Sequence, residues 1–171
     1  DLLTYYEHKG QLSGKWALVG DGNNRAHSLL WGGSKLGIDI ASASPEGYLP
    51  RADIVKQAQE NAEQSGSKVL ITTDPMEAAA GADCLYTDVW TSMGQEEEQK
   101  EREAAFASYQ INENVAAAAK PDYIFQHCLP AHRGEEVTAD IIDGPHSVVF
   151  DEAENRLHAQ KAVMMLLMGE D

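Results

Sequence analysis

The stretch that decides the fold runs from residue 123 to residue 134 and reads Tyr-Ile-Phe-Gln-His-Cys-Leu-Pro-Ala-His-Arg-Gly. Its opening, Tyr123-Ile124-Phe125, is short and apolar, the pattern of a strand buried on both faces. His127, Cys128 and Pro130 therefore fall where that strand ends and a loop begins, the position at which rigid scaffolds mount chemistry. A thiol beside an imidazole can be polarised, and a Leu-Pro bond, cis or trans, can hold a tight turn that aims backbone carbonyls at a ligand. Taken alone, the same residues also fit a buried thiol, a hydrogen-bonded imidazole and a turn proline.

Working outward, the same punctuation repeats. An opening helix stops at Gly10. Lys15 to Val19 predicts a strand running into Gly20-Asp21-Gly22-Asn23-Asn24, and Ala26 to Leu36 predicts a helix closed by Gly37. Asp39 to Ala43 and Lys68 to Thr72 predict further strands, with an amphipathic helix over Ala52 to Ser65 between them. Asp74-Pro75 opens a short helix, and Cys84 to Thr87 predicts a fourth strand that delivers Asp88 to a loop. Gln95 to Tyr109 reads as an exposed helix with a solvated face, and Asn112 caps a helix that Pro121 ends. Ser147 to Phe150 predicts a last strand, followed by a helix over Glu152 to Met168.

Strands alternating with helices imply a parallel sheet, because each parallel crossover needs room for a helix. The expectation is a single α/β domain, doubly wound and Rossmann-like, with helices on both faces. In such sheets ligands gather beyond the carboxyl ends of the strands, where the strand order reverses. Asn24, Asp88 and Cys128 all follow strand ends and are expected on one rim.

Composition narrows the partner. A chain of 171 residues, 43% hydrophobic, can bury one sizeable core, and no apolar run is long enough to span a membrane. A net charge of -15 opposes nucleic acid and anionic lipid, which leaves a small molecule. The two cysteines sit at apolar strand-like runs, so a reduced, cytoplasmic setting is expected.

Four constellations could carry chemistry. Gly20-Asp21-Gly22 starts like a dinucleotide fingerprint but lacks the third glycine and a closing acidic residue, so no cofactor is expected. Asn23 and Asn24 at a helix start can bind a carboxylate beside free backbone N–H groups, or can serve as cap and turn. Asp88 with Ser92-Met93-Gly94 suits a ligand bearing an ammonium group, or is again a turn. Arg156, beside Glu154, lies in the first turns of the last helix, where a cation opposes the helix dipole. It is either a paired surface arginine or one kept for an anionic or carbonyl ligand. The histidines show no metal-ligand spacing, and no metal is expected.

Taken in order, Gly20 to Asn24, Asp88 to Gly94, His127 to Pro130 and Glu152 to Arg156 closely resemble the ornithine carbamoyltransferases. The likeness covers essentially the whole chain, as the ornithine-binding, carboxyl-terminal half of those enzymes. The aspartate carbamoyltransferase pattern would carry Pro where Cys128 stands and would lack the Ser-Met-Gly loop. The resemblance implies transfer of a carbamoyl group from carbamoyl phosphate to the δ-amine of L-ornithine, giving citrulline and phosphate in arginine biosynthesis. It places ornithine's α-groups on Asn24, Asp88, Ser92 and the backbone of Met93. Cys128 would help the δ-amine lose its proton, the Leu129 carbonyl would accept from the carbamoyl amide, Arg156 would stabilise the oxyanion, and His127 would assist at the same carbonyl.

The resemblance also implies a homotrimer for the full-length enzyme, an inter-domain helix over residues 1–10, and a helix over 152–168 that packs on an amino-terminal domain. Val163, Met164, Leu166, Leu167 and Met168 would then lack their cover in this chain. The family's Ser-x-Arg-Thr phosphate turn is absent from these residues, so weak activity is expected of the chain alone. Alternatives are a relative acting on putrescine or an acylated ornithine, which should alter the loop from Asp88 to Met93, and a non-catalytic amino-acid-binding module.

Overall fold

The structure, a computed structural model, describes residues 1–91 and 98–169. Five strands, β1 (Lys15–Val19), β2 (Asp39–Ala43), β3 (Val69–Thr72), β4 (Cys84–Thr87) and β5 (Ile124–His127), form a wholly parallel sheet in the order β3-β2-β1-β4-β5. The helices are α1 (Leu2–Lys9), α2 (Asn24–Leu36), α3 (Ala52–Ser65), α4 (Pro75–Ala79), α5 (Gln99–Phe106), α6 (Glu113–Ala118), α7 (Ala139–Ile142) and α8 (Val149–Met168).

Successive side chains of a strand face opposite ways, and β1 shows what this builds. Trp16 and Leu18 pack with Tyr5, Leu29, Leu30 and Ala58 on one face, while Ala17 and Val19 pack with Ala78, Ala79, Val115 and Ala116 on the other. Two cores back to back make the fold doubly wound. Each large side chain buried this way contributes about 1.5–3 kcal/mol. Because the winding changes direction between β1 and β4, a crevice opens above their carboxyl ends. Thr87 Oγ1 donates to the Val19 carbonyl across that junction at 2.6 Å and holds the two strand ends together.

Three expectations need correction. The second helix starts at Asn24, two residues before Ala26, because Asn23 is the cap and its side chain accepts from the Arg25 N–H at 3.0 Å. Ser147 to Phe150 is not a strand: the Phe125 N–H donates to His146 O, the Val148 N–H donates to Phe125 O, and the chain then turns into α8. A short apolar run looks alike as a strand and as the buried first turn of a helix. The face of α5 is not wholly solvated either, since Arg102 and Phe106 are buried. Arg102 pairs with Asp21, donates to the Trp90 carbonyl at 2.6 Å, and lies 4.9 Å from the Tyr48 ring centroid.

Candidate active site

The rim begins with the turn after β1. Gly20 has φ 138, a left-handed value that favours glycine. A Cβ on Gly22 would run into the backbone of Tyr48, Leu49 and Pro50, and the Gly22 N–H donates to Tyr48 O at 2.9 Å. The second glycine is thus spent on packing one loop against another, which accounts for a Gly-x-Gly outside a dinucleotide site. Asp21 is spent too. Burial pushes its carboxyl up, and Arg102 opposes that rise. Through Asp21 and Trp90, the Arg102 guanidinium ties the loop after β1 to the loop after β4.

Asn24 stands exposed at the start of α2, between Asn23 and Arg25, both of which line a small cavity at the rim. Asp88 lines the same cavity from the end of β4, together with Tyr86 and Thr87. Cys128, one residue past β5, donates its S–H to Asp88 Oδ1 at 3.1 Å, and the same oxygen accepts the Val89 N–H at 2.8 Å. Burial, reinforced by the Asp88 charge and hydrogen bond, pushes the Cys128 thiol up to about 12. At neutral pH this sulfur is a protonated donor. Cys84 is wholly buried, its thiol pushed well up by burial, with no access to the rim.

A second, larger recess adjoins the first. Arg25, His127, Cys128, Glu152, Asn155 and Arg156 are among the residues lining an open cleft of about 560 Å³, within the range of small-molecule sites. Arg156 is exposed there and has no hydrogen bond or ion pair among the described residues, so the paired-surface reading finds no support. Arg156 and Arg25 line the same cleft as Cys128.

His127 holds this rim from behind. Fully buried, it accepts the Leu129 N–H on Nδ1 at 2.9 Å, which leaves Nε2 to donate to Glu136 Oε1 at 3.1 Å. Its backbone N–H donates to Glu152 Oε2 at 2.9 Å, and Tyr86 Oη donates to Glu152 Oε1 at 3.3 Å. Both ring nitrogens are therefore committed to protein partners. Leu129 has φ 50, a rare value for a leucine, and its bond to Pro130 is cis. No described residue donates to the Leu129 carbonyl. Backbone held in so sparse a region clusters at ligand sites.

The described residues thus bring Asp88 and Cys128 into contact, set Asn24 at the start of α2 between two rim residues without its lining either recess, and place Arg156 in the adjoining cleft. Ser92 and Met93 lie outside the described residues. Sequence reasoning passed over Arg25, which lines both recesses, and Glu152, which anchors β5 to α8. The signal for Arg25 was present: it is a cation in the first turn of α2, where the dipole disfavours it, whereas Arg156 lies two turns into α8, which starts at Val149 and not at Glu152.

Comparison with known proteins identifies the family. Residues 13–167 match the family model described as the Asp/Orn binding domain of aspartate/ornithine carbamoyltransferase. The chain is 59% identical over 170 residues to the ornithine carbamoyltransferase of Carboxydothermus hydrogenoformans, covering 99% of this chain and 55% of that protein. It is 56% identical over 170 residues to that of Pyrococcus abyssi, covering 99% and 54%. The solved ornithine carbamoyltransferase of Pyrococcus furiosus superposes with a TM-score of 0.94 at 55% identity, over 99% of this chain and 54% of that one. The chain spans about half the length of the relatives it matches.

Proposed function

The chain belongs to the aspartate/ornithine carbamoyltransferase family, and on that premise we propose that it supplies the ornithine-binding half of an ornithine carbamoyltransferase. The reaction joins the δ-amine of L-ornithine to the carbonyl carbon of carbamoyl phosphate, breaks the carbon–oxygen bond to phosphate, and releases one amine proton. The observation that carries the reading is the Asp88–Cys128 contact beside the switch point, at the ends of β4 and β5, with two arginines lining the recesses around it.

Asp88 takes the α-ammonium group of ornithine, the charge for which its exposed-rim carboxylate is suited. Asn24 and Arg25, with the free N–H groups of the α2 start, take the α-carboxylate. Ser92 and the Met93 backbone complete this end. The δ-amine then extends past Cys128 into the cleft. An ammonium group on Asp88 cancels part of the charge that holds the thiol proton, so substrate itself moves Cys128 toward the thiolate that can take a proton from the δ-amine. The Leu129 carbonyl accepts from the carbamoyl amide, and Arg156 stabilises the oxyanion of the tetrahedral intermediate. His127 acts as a positioning residue, because its ring is occupied in setting the Leu129 backbone.

The phosphate of carbamoyl phosphate is held by the part of the full-length enzyme that carries the Ser-x-Arg-Thr turn, and that part also covers the bare end of α8. Full-length copies assemble as trimers in the cytoplasm. Isothermal titration of this chain checks the substrate assignment. L-ornithine should give a weak saturable heat that Asp88→Asn removes, and putrescine, which lacks the α-carboxylate, should bind at least about tenfold more weakly. Equal binding of the two amines would sink the assignment.

A further inference from the structure

The loop behind Pro130 holds a second cluster that the carbamoyl chemistry does not use. We propose that His132, Glu135 and Glu136 form a binding site for a divalent first-row transition ion such as Zn²⁺, set against the back of the His127–Cys128 segment. One ligand atom from each of the three residues lies within 4.8 Å of the others. His132 Nδ1 is 3.6 Å from Glu135 Oε2 and 4.0 Å from Glu136 Oε2. Tetrahedral ligands about 2.1 Å from a zinc ion stand about 3.4 Å apart, so the two His132 pairs must contract by well under 1 Å and the carboxylate pair by no more than about 1.4 Å to close the site.

The independent observation is a buried oxygen without a partner. Glu136 is fully buried, its Oε1 accepts from His127 Nε2 and from the His132 N–H, and its Oε2 has no hydrogen-bond partner while facing the exposed imidazole. A buried carboxylate oxygen left bare is costly, and a cation on its open side removes that cost. The neighbouring cation does not supply it: Arg133 is turned to Asp143, with bonds of 2.8 and 2.6 Å.

The loop is also held in shape without the ion. The Glu135 N–H donates to His132 O at 3.0 Å across a turn in which Gly134 has φ 91. Gln110 Nε2 donates to the carbonyls of Gly134 and Glu135. One imidazole and two carboxylates favour zinc-like ions over Mg²⁺ and Ca²⁺, which take oxygen donors. Three protein ligands leave a coordination position for water. Ligands at positions i, i+3 and i+4 curl together here on a turn, which is why no metal spacing stood out in the sequence.

Co²⁺ reports the site through its visible d–d absorption, and Zn²⁺ competition gives the affinity. The chain should take up one Co²⁺ per molecule. His132→Ala, at an exposed position, and Glu135→Gln, isosteric at a half-buried one, should each weaken uptake at least about tenfold. Cys128→Ser should leave uptake unchanged, which separates this site from one built on the rim thiol. No stoichiometric uptake, uptake that survives His132→Ala, or uptake lost in Cys128→Ser would each overturn the proposal.

Discussion

The two halves of α8 belong to one helix and live in opposite surroundings. In the first half, Glu152 accepts the His127 N–H and the Tyr86 hydroxyl, Asn155 donates to Thr4 and Glu7, and Asp151 meets His8 at 2.8 Å. Glu152 and Asn155 are buried there because each has a named partner on α1, β4 or β5, while Asp151 stays exposed. In the second half, Leu166, Leu167 and Met168 are 83%, 81% and 78% exposed, and among the described residues none of them joins either core. The difference separates two jobs. The first half fixes the rim from which Arg156 points into the cleft. The second is an apolar face of a size that monomeric proteins rarely leave in water.

The sharpest way to break this contrast is Glu152→Ala. It strips acceptors from a buried backbone N–H and a buried hydroxyl, and urea denaturation should report a loss of about 3 kcal/mol. Asn155→Ala removes two bonds to α1 and should cost about 1–2 kcal/mol by the same measurement. Leu166→Gln with Leu167→Gln, in the bare half, should change stability by no more than about 0.5 kcal/mol. The same pair should lower self-association in sedimentation, since it removes apolar surface with nothing beneath it. A large stability loss from this pair would show that the second half is already packed.

The thiol at the rim offers a finer test. Alkylation of Cys128 by iodoacetamide follows its thiolate, so with the thiol pushed up to about 12 the rate should climb steadily across pH 7 to 10 without reaching a plateau. Burial sets most of that rise and Asp88 adds to it. Removing the carboxylate charge lowers the thiol, so Asp88→Asn should speed alkylation at fixed pH. Slower alkylation would contradict the contact.

Much of this was written in the sequence because the signals were local. Gly10 and Gly37 stop helices where left-handed backbone is needed, Asn112 and Asp74 cap, and five apolar runs spaced by helices dictate a parallel sheet. The common rim of Asp88 and Cys128 follows from topology alone. Less legible were features decided by distant partners. Arg102 looked like one more solvated charge until Asp21, Tyr48 and Phe106 gathered around it. His127 looked free for chemistry, yet its tautomer is set by Leu129 and Glu136. Val148 and Val149 gave no sign of which element would claim them, because burial does not distinguish a strand from the first turn of a helix.

The claim on which the rest depends is that the ends of β1, β4 and β5 share one amino-acid site. Chemical-shift mapping of this chain with L-ornithine tests it directly. The amides of residues 23–25, 88–90 and 127–129 should move together along a single saturation curve, and Asp88→Asn should abolish the response. Shifts confined to one of these segments, or appearing on a face away from the switch point, would contradict it.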